Sequence, residues 1–491
     1  MKILLWMLST SLSQAKEEPA KPWLHSYGTP ARTFYVAPEA TGSGASKAEP
    51  MSLASAIESS KAGDLYWLLQ GAYKGPVKLA NPGTKESPIV FRAFPAHRVA
   101  VVGQVVVKGA YTWVWGLEVT DPDAGGPVGE SGSLHAGAPG VHFINNIVHD
   151  TWHVGIGGWQ TGPDHVYYGN ILWKVGQHPV DRQRAYPIYT QSDHAKHGFK
   201  YIVSNVFLDT VTDVGGPGFN FHAYTQGGQL TGFHLEKNVS RDGHFLIGGK
   251  NEASVHIRVI ENYFYKSAVQ LGYRRPIQAE FRNNYLGRSA LQARQFYGKN
   301  AGTGVKPSED KPGPNVYTGN TIVFPEGLHV MCLTAGYVSG NRQEGTTLLD
   351  PADAWDGNAY SAPFRGMLRA GGKDVQAGDL AAWRAATHNA GKAFDARSQE
   401  IAGTPPNKAV LIPNDYESGR GHLIVYNWDK SRAIKADLSR VLSPGTPYKV
   451  VRAKDPFGAP VTSGTYSGPV PVPMEAQEFE VFLVHAAGRT P

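Results

Sequence analysis

A short pattern that begins with asparagine recurs six times in the middle of this chain. Each copy has an Asn, then an apolar or aromatic residue, and a charged residue four positions after the Asn. The copies follow one another at intervals of 24, 35, 33, 24 and 22 residues, and repetition on this length scale predicts a solenoid. The copies begin at Asn146, Asn170, Asn205, Asn238, Asn262 and Asn284.

The residues around these asparagines alternate with a period of two, as in VHFINNIV, HVYYGNIL and KYIVSNVF. This period indicates strands and not helices. Parallel strands stacked about 4.8 Å apart bury their inward residues between successive coils. An Asn at one turn of each coil can also hydrogen-bond to the Asn of the next coil. The sequence therefore predicts an all-β protein, with a parallel β-helix over residues 33–375 and a ladder of stacked asparagines.

The charged position of the repeat has two interpretations. It is occupied by Asp150, Lys174, Asp209, Asp242, Lys266 and Arg288. The aspartates could form paired catalytic carboxylates. Turn positions, however, commonly recruit Asp for local hydrogen bonds, and Lys beside them stays solvated. We favour the turn interpretation.

The tripeptide Tyr-Thr-Gln occurs twice, at Tyr189–Gln191 and at Tyr224–Gln226. The first Tyr follows Asn170 by 19 residues, and the second follows Asn205 by the same 19 residues. These equal offsets predict that Tyr189 stacks on Tyr224 in consecutive coils. Both coils are about ten residues longer than their neighbours, so we expect loops beside this strand.

Strand alternation separates inward from outward residues on this face. Ile247, Leu271 and Ala293 each follow an Asn by nine residues and suit the interior, and Ile188 and Ala223 align with them. The outward residues are then Pro187, Tyr189, His222, Tyr224, Gln270, Gln292 and Arg294. Aromatic rings pack on sugars while amides and guanidinium groups bind hydroxyls or carboxylates, which favours a carbohydrate groove that also includes Gln191. A purely stabilising aromatic ladder, with His222 as a structural residue, is the alternative.

Residues 33–95 resemble the pectate-lyase superfamily of right-handed parallel β-helices. The segments FYVAPEATGSG, MSLASAIESSKAGDLYWLLQGAYKG and ESPIVFRAF, within residues 33–95, carry this resemblance, which implies a short helix that caps the solenoid. Within the superfamily, the chondroitinase B and alginate lyase family is most similar. That family uses a Lys as base and an Arg one coil later as acid, which implies these roles for Lys250 in IGGKN and Arg274 in LGYRRP. The family's paired calcium-binding glutamates are replaced here by Asp242 and His244, so the cofactor stays open and no metal ligand is assigned.

The remaining segments predict the chain's other parts. Residues 1–15 resemble an export signal, which implies a secreted or periplasmic protein, and no later stretch is long and apolar enough to span a membrane. The segment DLAAWRAATHNAGKAF predicts a helix capped by Asp379, within a helical linker over residues 376–405. Alternating strands then predict a small antiparallel β-domain over residues 406–491 that closes the C-terminal end of the solenoid.

Composition limits the partners. The net charge of +6 is spread along the chain without a basic run, and no nucleic-acid-binding module is present, so a nucleic-acid partner is disfavoured. Cys332 is the single cysteine, so no intrachain disulfide can form. We expect a monomer that acts on a polysaccharide.

Three functions are compatible with these features. The first is a lyase that cuts an acidic polysaccharide by β-elimination, with catalytic candidates Tyr189, His222, Tyr224, Lys250 and Arg274. The second is a glycoside hydrolase, which needs two carboxylates across the scissile bond; the available carboxylates are Asp181, Asp193, Asp213 and Glu236. The third is a glycan-binding protein without catalysis.

Overall fold

The computed structural model of the protein describes residues 20–122, 132–152, 154–159, 162–176, 186–192, 198–210, 218–225, 229–249, 252–294, 314–333, 335–338, 341–344, 350–370 and 373–487. The predicted export signal, Lys250 and the carboxylates Asp181, Asp193 and Asp213 lie outside this part of the chain. Among the described residues, no helix has both the length and the apolar character needed to cross a membrane.

Three long sheets of 12 strands each dominate the described part of the chain. The first sheet contains Arg32–Val36, Asp64–Leu68, Ile89–Ala93, Thr112–Trp115, His142–Ile144, Val166–Tyr168, Lys200–Val203, Thr231–Glu236, Val255–Ile260, Glu280–Arg282, Val316–Thr318 and Ala354–Asp356. The second sheet is called the groove sheet, because it carries the strands of the predicted groove. It contains Val77–Leu79, Val105–Val107, Leu134–Ala136, Ile156–Gly158, Ile188–Thr190, Phe219–Ala223, His244–Ile247, Val269–Leu271, Leu291–Arg294, Val330–Leu333, Gly366–Ala370 and Lys373–Ala377. The third sheet is called the docking sheet, because the C-terminal domain packs on it. It contains Gly71–Lys74, Val99–Val102, Glu118–Asp121, Ile147–Thr151, Ile171–Trp173, Val206–Leu208, Val239–Arg241, Tyr263–Tyr265, Tyr285–Gly287, Thr321–Val323, Ala359–Ser361 and Gln399–Ile401.

The chain visits the three sheets in turn, and each new coil adds one strand beside the previous one. These strand pairs are parallel, and Lys373–Ala377 ends the groove sheet as an antiparallel partner of Gly366–Ala370. Inward residues of the three sheets form one continuous hydrophobic core. The predicted parallel β-helix is confirmed.

The asparagine ladder is also confirmed. In each step, one Asn side chain accepts from the backbone N–H and the side-chain amide of the Asn before it; between Asn170 and Asn205 these distances are 3.0 and 2.9 Å. The second amide hydrogen is used as well, because Asn170 Nδ2 donates to the carbonyl of Phe143 at 2.8 Å. The ladder extends beyond the predicted six residues to Asn320 and Asn358. Buried amides with every donor engaged bind the coils at one turn.

The charged position of the repeat is a turn position, as predicted. All six residues have a left-handed backbone, with φ between 46° for Lys174 and 55° for Asp209. Asp and Asn adopt this conformation more readily than most side chains, and the charged groups at the turn stay near the surface.

Each end of the solenoid has a short helix. Leu53–Ser59 begins after Ser52, whose hydroxyl accepts from the N–H of Ser55, and its Ala56 joins the core. Leu380–Thr387 begins after Asp379, the predicted N-cap, whose carboxylate accepts from the N–H of Ala382 at 2.7 Å. These helices close the apolar interior that open coils would leave exposed.

The C-terminal β-domain has a different position from the one expected. Its five-stranded sheet contains Lys408–Pro413, Arg420–Tyr426, Phe479–Ala486, Pro447–Arg452 and Thr462–Thr465, and a two-stranded sheet contains Ala433–Ala436 and Val470–Pro473. A further hairpin outside this domain, Ala335–Val338 with Asn341–Glu344, comes after the groove-sheet strand Val330–Leu333.

This domain packs along the side of the solenoid, so the prediction that it closes the C-terminal end is wrong. Apolar residues on the outer face of the docking sheet explain the difference, because they need a cover. Tyr265 stacks on Phe479 at 4.6 Å, and Trp428 Nε1 donates to the hydroxyl of Tyr285 at 2.9 Å. The shared cluster runs along the docking sheet from Ile147 to Val323.

Candidate active site

An outward row of side chains crosses the groove sheet at its centre. Tyr189 lies in register with His222, and His222 lies in register with Leu246. The row continues through Gln270 and Gln292. The prediction that Tyr189 stacks on Tyr224 is therefore wrong, because Tyr224 lies two residues after His222, just past the end of Phe219–Ala223.

The register differs from the residue count because the two coils have different loops between their asparagines and their strands. Hydrogen bonds between strands set the alignment, whereas a loop of any length can precede them. Ala223 aligns with Ile247, as predicted, but its partner in the preceding coil is Thr190. Ile188 aligns instead with Phe221. Ile188 and Ala223, which were predicted to face inward, are fully buried. Pro187, expected on the outer face, is buried too.

His222 lies inside a ring of aromatic side chains. Its imidazole stacks on Phe219 at 4.9 Å and is 5.3 Å from Tyr189 and 5.4 Å from Tyr224. Tyr186 closes another side at 5.0 Å. These contacts leave the ring 9% exposed, at the base of an aromatic depression.

The imidazole of His222 is a neutral base at neutral pH. Burial lowers its pKa to about 4, because the apolar surroundings disfavour the charged form. Neither ring nitrogen has a hydrogen-bond partner in the described part of the chain. Both nitrogens are buried, and a neutral imidazole has one nitrogen without a hydrogen that can accept a proton.

Two further tyrosines belong to this depression, and the sequence analysis did not identify them. Tyr186 stacks on Tyr189 at 5.5 Å, and Tyr273 contacts Tyr224 edge-on at 5.5 Å. Burial raises the pKa of Tyr273 to about 12. The signal was available, because Tyr186 precedes the first YTQ in AYPIYTQ and Tyr273 directly precedes Arg274 in LGYRRP.

The predicted polar residues lie on the same sheet. Gln191 donates to the hydroxyl of Tyr189 at 3.3 Å, and Gln270 donates to the carbonyl of Gly272 at 3.0 Å. Gln292 contacts the sulfur of Met331 at 3.2 Å. Arg294 lies two residues after Gln292 and is half-buried. Its positive charge lowers the pKa of Tyr273, against the larger effect of burial. The groove sheet thus combines aromatic, amide and cationic groups.

Arg274 lies in the turn that follows Val269–Leu271 and is 4% exposed. Its neighbour Arg275 is also buried and forms an ion pair with Asp353 at 2.5 Å. Burial raises the pKa of Asp353 to about 6, although the charge of Arg275 acts against this change. The buried pair anchors the turn that carries Tyr273 and Arg274.

The residues at the implied calcium positions do not fit a calcium site. The carboxylate of Asp242 lies 3.7 Å from Arg241, whereas the ring of His244 packs against Phe219 at 5.9 Å. In the described segments, no three His, Cys, Asp or Glu side chains are grouped so that they could hold a metal ion.

Glu236, a candidate carboxylate for hydrolysis, lies on the first sheet and not near the groove. It accepts from His234 at 2.9 Å and from Lys237 at 2.7 Å. The expectation that it is available to the groove is wrong, because the groove sheet is a separate face of the solenoid.

Comparisons with known proteins give matches among solved structures. The chain matches no family model and no curated protein. A mannuronic acid specific polysaccharide family 6 lyase from human gut microbiota is 11% identical, with a TM-score of 0.41 over 69% of this chain and 76% of that chain. An alginate lyase from Paenibacillus sp. str. FPU-7 is 16% identical, with a TM-score of 0.40 over 69% and 98%. Pectate lyase Pel9A is 13% identical, with a TM-score of 0.29 over 70% and 78%.

Proposed function

We propose that this protein is a polysaccharide lyase that cleaves a uronate-containing polysaccharide by β-elimination. The observation that carries the proposal is the neutral, buried imidazole of His222, whose ring nitrogens are unpartnered in the described segments, within a ring of tyrosines. Aromatic faces pack on sugar rings, and a neutral imidazole removes a proton.

The reaction requires three groups. A base removes the proton at C5 of the uronate, a cation offsets the charge that develops on its carboxylate, and an acid protonates the oxygen that leaves C4. The C5 proton is lost, a double bond forms between C4 and C5, and the bond from C4 to oxygen breaks. The products are a shortened chain and an unsaturated uronate.

We assign these roles within the aromatic depression. His222 takes the C5 proton, and Tyr224, at 5.4 Å between ring centroids, donates to the leaving oxygen. Arg294, three strands from His222 on the same sheet, supplies positive charge to the groove. Tyr189 and Gln191 bind the sugar beside His222, and Gln270 and Gln292 extend the contact along the row.

Substrate binding strengthens the base in this proposal. In the free protein, burial holds the pKa of His222 at about 4. A uronate carboxylate beside the ring favours the imidazolium form and raises its pKa, because opposite charges at close range stabilise each other. The base therefore gains strength when the substrate that it must deprotonate is bound.

The family resemblance provides a second assignment, with Lys250 as base and Arg274 as acid. A hydrolase remains the alternative chemistry, and a binding protein remains the alternative without chemistry. Export to the cell exterior or periplasm, which the polymeric substrate requires, and a monomeric state are part of the proposal.

The deciding experiment incubates the full chain with acidic polysaccharides (alginate, polygalacturonate and chondroitin) and with neutral polysaccharides. We expect depolymerisation of an acidic polymer, with products that absorb in the ultraviolet through the new double bond. Products without this absorbance would show hydrolysis, and binding without depolymerisation would show a carbohydrate-binding protein.

A further inference from the structure

A second cavity lies far from the aromatic depression, on the first sheet. It has a volume of about 730 Å³, within the range of about 300–1,000 Å³ that small-molecule sites occupy. Three parts of the chain enclose it: the N-terminal segment at Trp23, outward residues of the first sheet, and the C-terminal domain at Arg440. Junctions between domains are a common location for ligand sites.

Five Lys or Arg side chains and four Asp or Glu side chains line this cavity. Arg258 and Arg282 are neighbours on adjacent strands and both pair with the same carboxylate, Glu280. The Nε of Arg282 is buried and has no hydrogen-bond partner in the described segments. Arg440 donates to the carbonyl of Leu411 and has no ion-pair partner within the described part of the chain. These arginines, from the first sheet and from the C-terminal domain, can therefore accept a further carboxylate.

The first-sheet wall that carries Arg258 also offers an acceptor for a hydroxyl group, on His234, which is in register with Arg258. His234 Nε2 lies 2.9 Å from Glu236 Oε2, which fixes its hydrogen on that nitrogen when the ring is neutral. Nδ1 is then an acceptor, and it is buried with no partner in the described residues. The His234 side chain is 8% exposed, and Trp23 packs on it at 5.2 Å. An unsatisfied buried acceptor is costly, and a ligand hydroxyl would satisfy it.

We propose that this cavity binds an acidic oligosaccharide at a second, non-catalytic site. The ligand's carboxylate pairs with Arg258 and Arg282, one hydroxyl donates to Nδ1 of His234, and a sugar face packs on Tyr263, which also lines the cavity. The identity of the acid sugar rests on the proposed function. A second site would hold the polymer on the enzyme between cleavage events, because linked binding sites raise the local concentration of substrate.

The experiment measures binding by calorimetry with the full-length His222→Ala variant, which prevents turnover during titration. The probes are tetrasaccharides of galacturonate and of mannuronate, with cellotetraose as the neutral control. We expect two sites per chain for one of the acidic probes. Adding Arg258→Gln and Arg282→Gln should weaken one site at least ~10-fold, which is the loss expected for a charge-assisted hydrogen bond. Both arginines are about half exposed, so folding should be retained.

The control is Arg397→Gln, which removes a similar surface ion pair, with Asp356, outside the cavity. This variant should leave both sites unchanged. A single site whose affinity is the same with and without Arg258 and Arg282 would overturn the proposal, as would equal binding of cellotetraose. Failure of the lyase function is a separate result, because the polysaccharide incubation would then yield no unsaturated product while binding in the cavity persists.

Discussion

Tyr189 and His222 occupy neighbouring coils at the same level of the groove sheet, with ring centroids 5.3 Å apart. Parallel pairing directs both side chains to the outer face. His222 therefore has Tyr189 beside it on the preceding strand and Tyr224 two residues later, just past the end of its own strand, at 5.4 Å. The histidine, and not a pair of stacked tyrosines, is the centre of the candidate site.

Substitution of His222 or of Tyr224 should abolish most of the activity. We expect His222→Ala and Tyr224→Phe each to reduce turnover at least ~100-fold, the usual contribution of a general acid or base. Initial rates of ultraviolet-absorbing product measure the loss, and circular dichroism checks that the β-helix is retained. His256→Ala is the matched control, because this histidine lies on the first sheet and should leave the rate unchanged.

The family-based pair provides the contrary outcome. If His222→Ala and Tyr224→Phe kept near wild-type rates while Lys250→Ala and Arg274→Ala were inactive, the base and acid would be Lys250 and Arg274. If all four variants stayed active, the chemistry would lie elsewhere.

The acid limb of the pH profile should report His222. In the substrate-free protein the pKa of His222 is about 4. The ring is therefore neutral at neutral pH and can act as a base, and it becomes protonated below pH 4. We expect kcat/KM to fall about tenfold per pH unit below pH 4, because this parameter reports the free enzyme. If kcat/KM already began to fall as the pH was lowered through a value above 8, the base would be a lysine or a tyrosine instead.

Acid unfolding must be separated from this titration. His222 has a depressed pKa in the folded protein and an ordinary value near 6.5 when unfolded, so the unfolded chain binds more protons between these values. Its burial therefore favours folding least at low pH, and stability should decrease as the pH falls from about 6.5 towards 4. Buried His329 also has a pKa of about 4 and adds to the same trend. Rates should be compared only where circular dichroism shows folded protein.

The coil repeat was predictable because it has a direct physical cause. Each buried Asn bonds to the one before it, as Asn205 does to Asn170, so the side chain is required once per coil and the spacing is visible in the sequence. Asn320 and Asn358 escaped detection because the residues four positions later, Phe324 and Ala362, are uncharged and do not match the repeat.

The details of the site were less predictable. Strand alternation identified the outward face, including His222 and Gln270, because side chains alternate along a strand. It could not align Tyr189 with His222, since the loops before their strands have independent lengths. It also could not place Tyr186 or Tyr273, because both lie beside strand ends, where alternation gives no position.

Removing one ladder member should destabilise the solenoid. Asn205→Ala removes a bond to the carbonyl of Tyr167 at 2.8 Å and leaves the buried N–H of Asn170 without its acceptor. We expect the free energy of unfolding to fall by about 3 kcal/mol, since each unsatisfied buried group costs about 1–3 kcal/mol. Denaturant unfolding measures the change. Asn407→Ala, in a surface turn, should change it by less than ~0.5 kcal/mol, and an equal loss in both variants would contradict the ladder's role.

The C-terminal domain should be needed for solubility because it covers an apolar face. Its Tyr426 is fully buried, packs on Tyr285 at 4.5 Å, and donates to the carbonyl of Phe264 at 3.1 Å. Deletion from residue 406 would expose the docking sheet at Trp173, Tyr265 and Tyr285, and a contiguous apolar patch of this kind promotes aggregation.

We expect the truncated chain to be insoluble, and Tyr426→Ala in the full chain to lower the free energy of unfolding by ~3–5 kcal/mol, as for other large buried aromatics. Sedimentation measures the first result and denaturant unfolding the second. Glu478→Gln, which removes the ion pair with Arg288 and keeps an acceptor for the hydroxyl of Tyr265, is the control and should stay soluble with a smaller loss. A truncated chain that stayed soluble and monomeric would contradict the covering role, and one that also released different products would show that the domain contributes to the choice of bond.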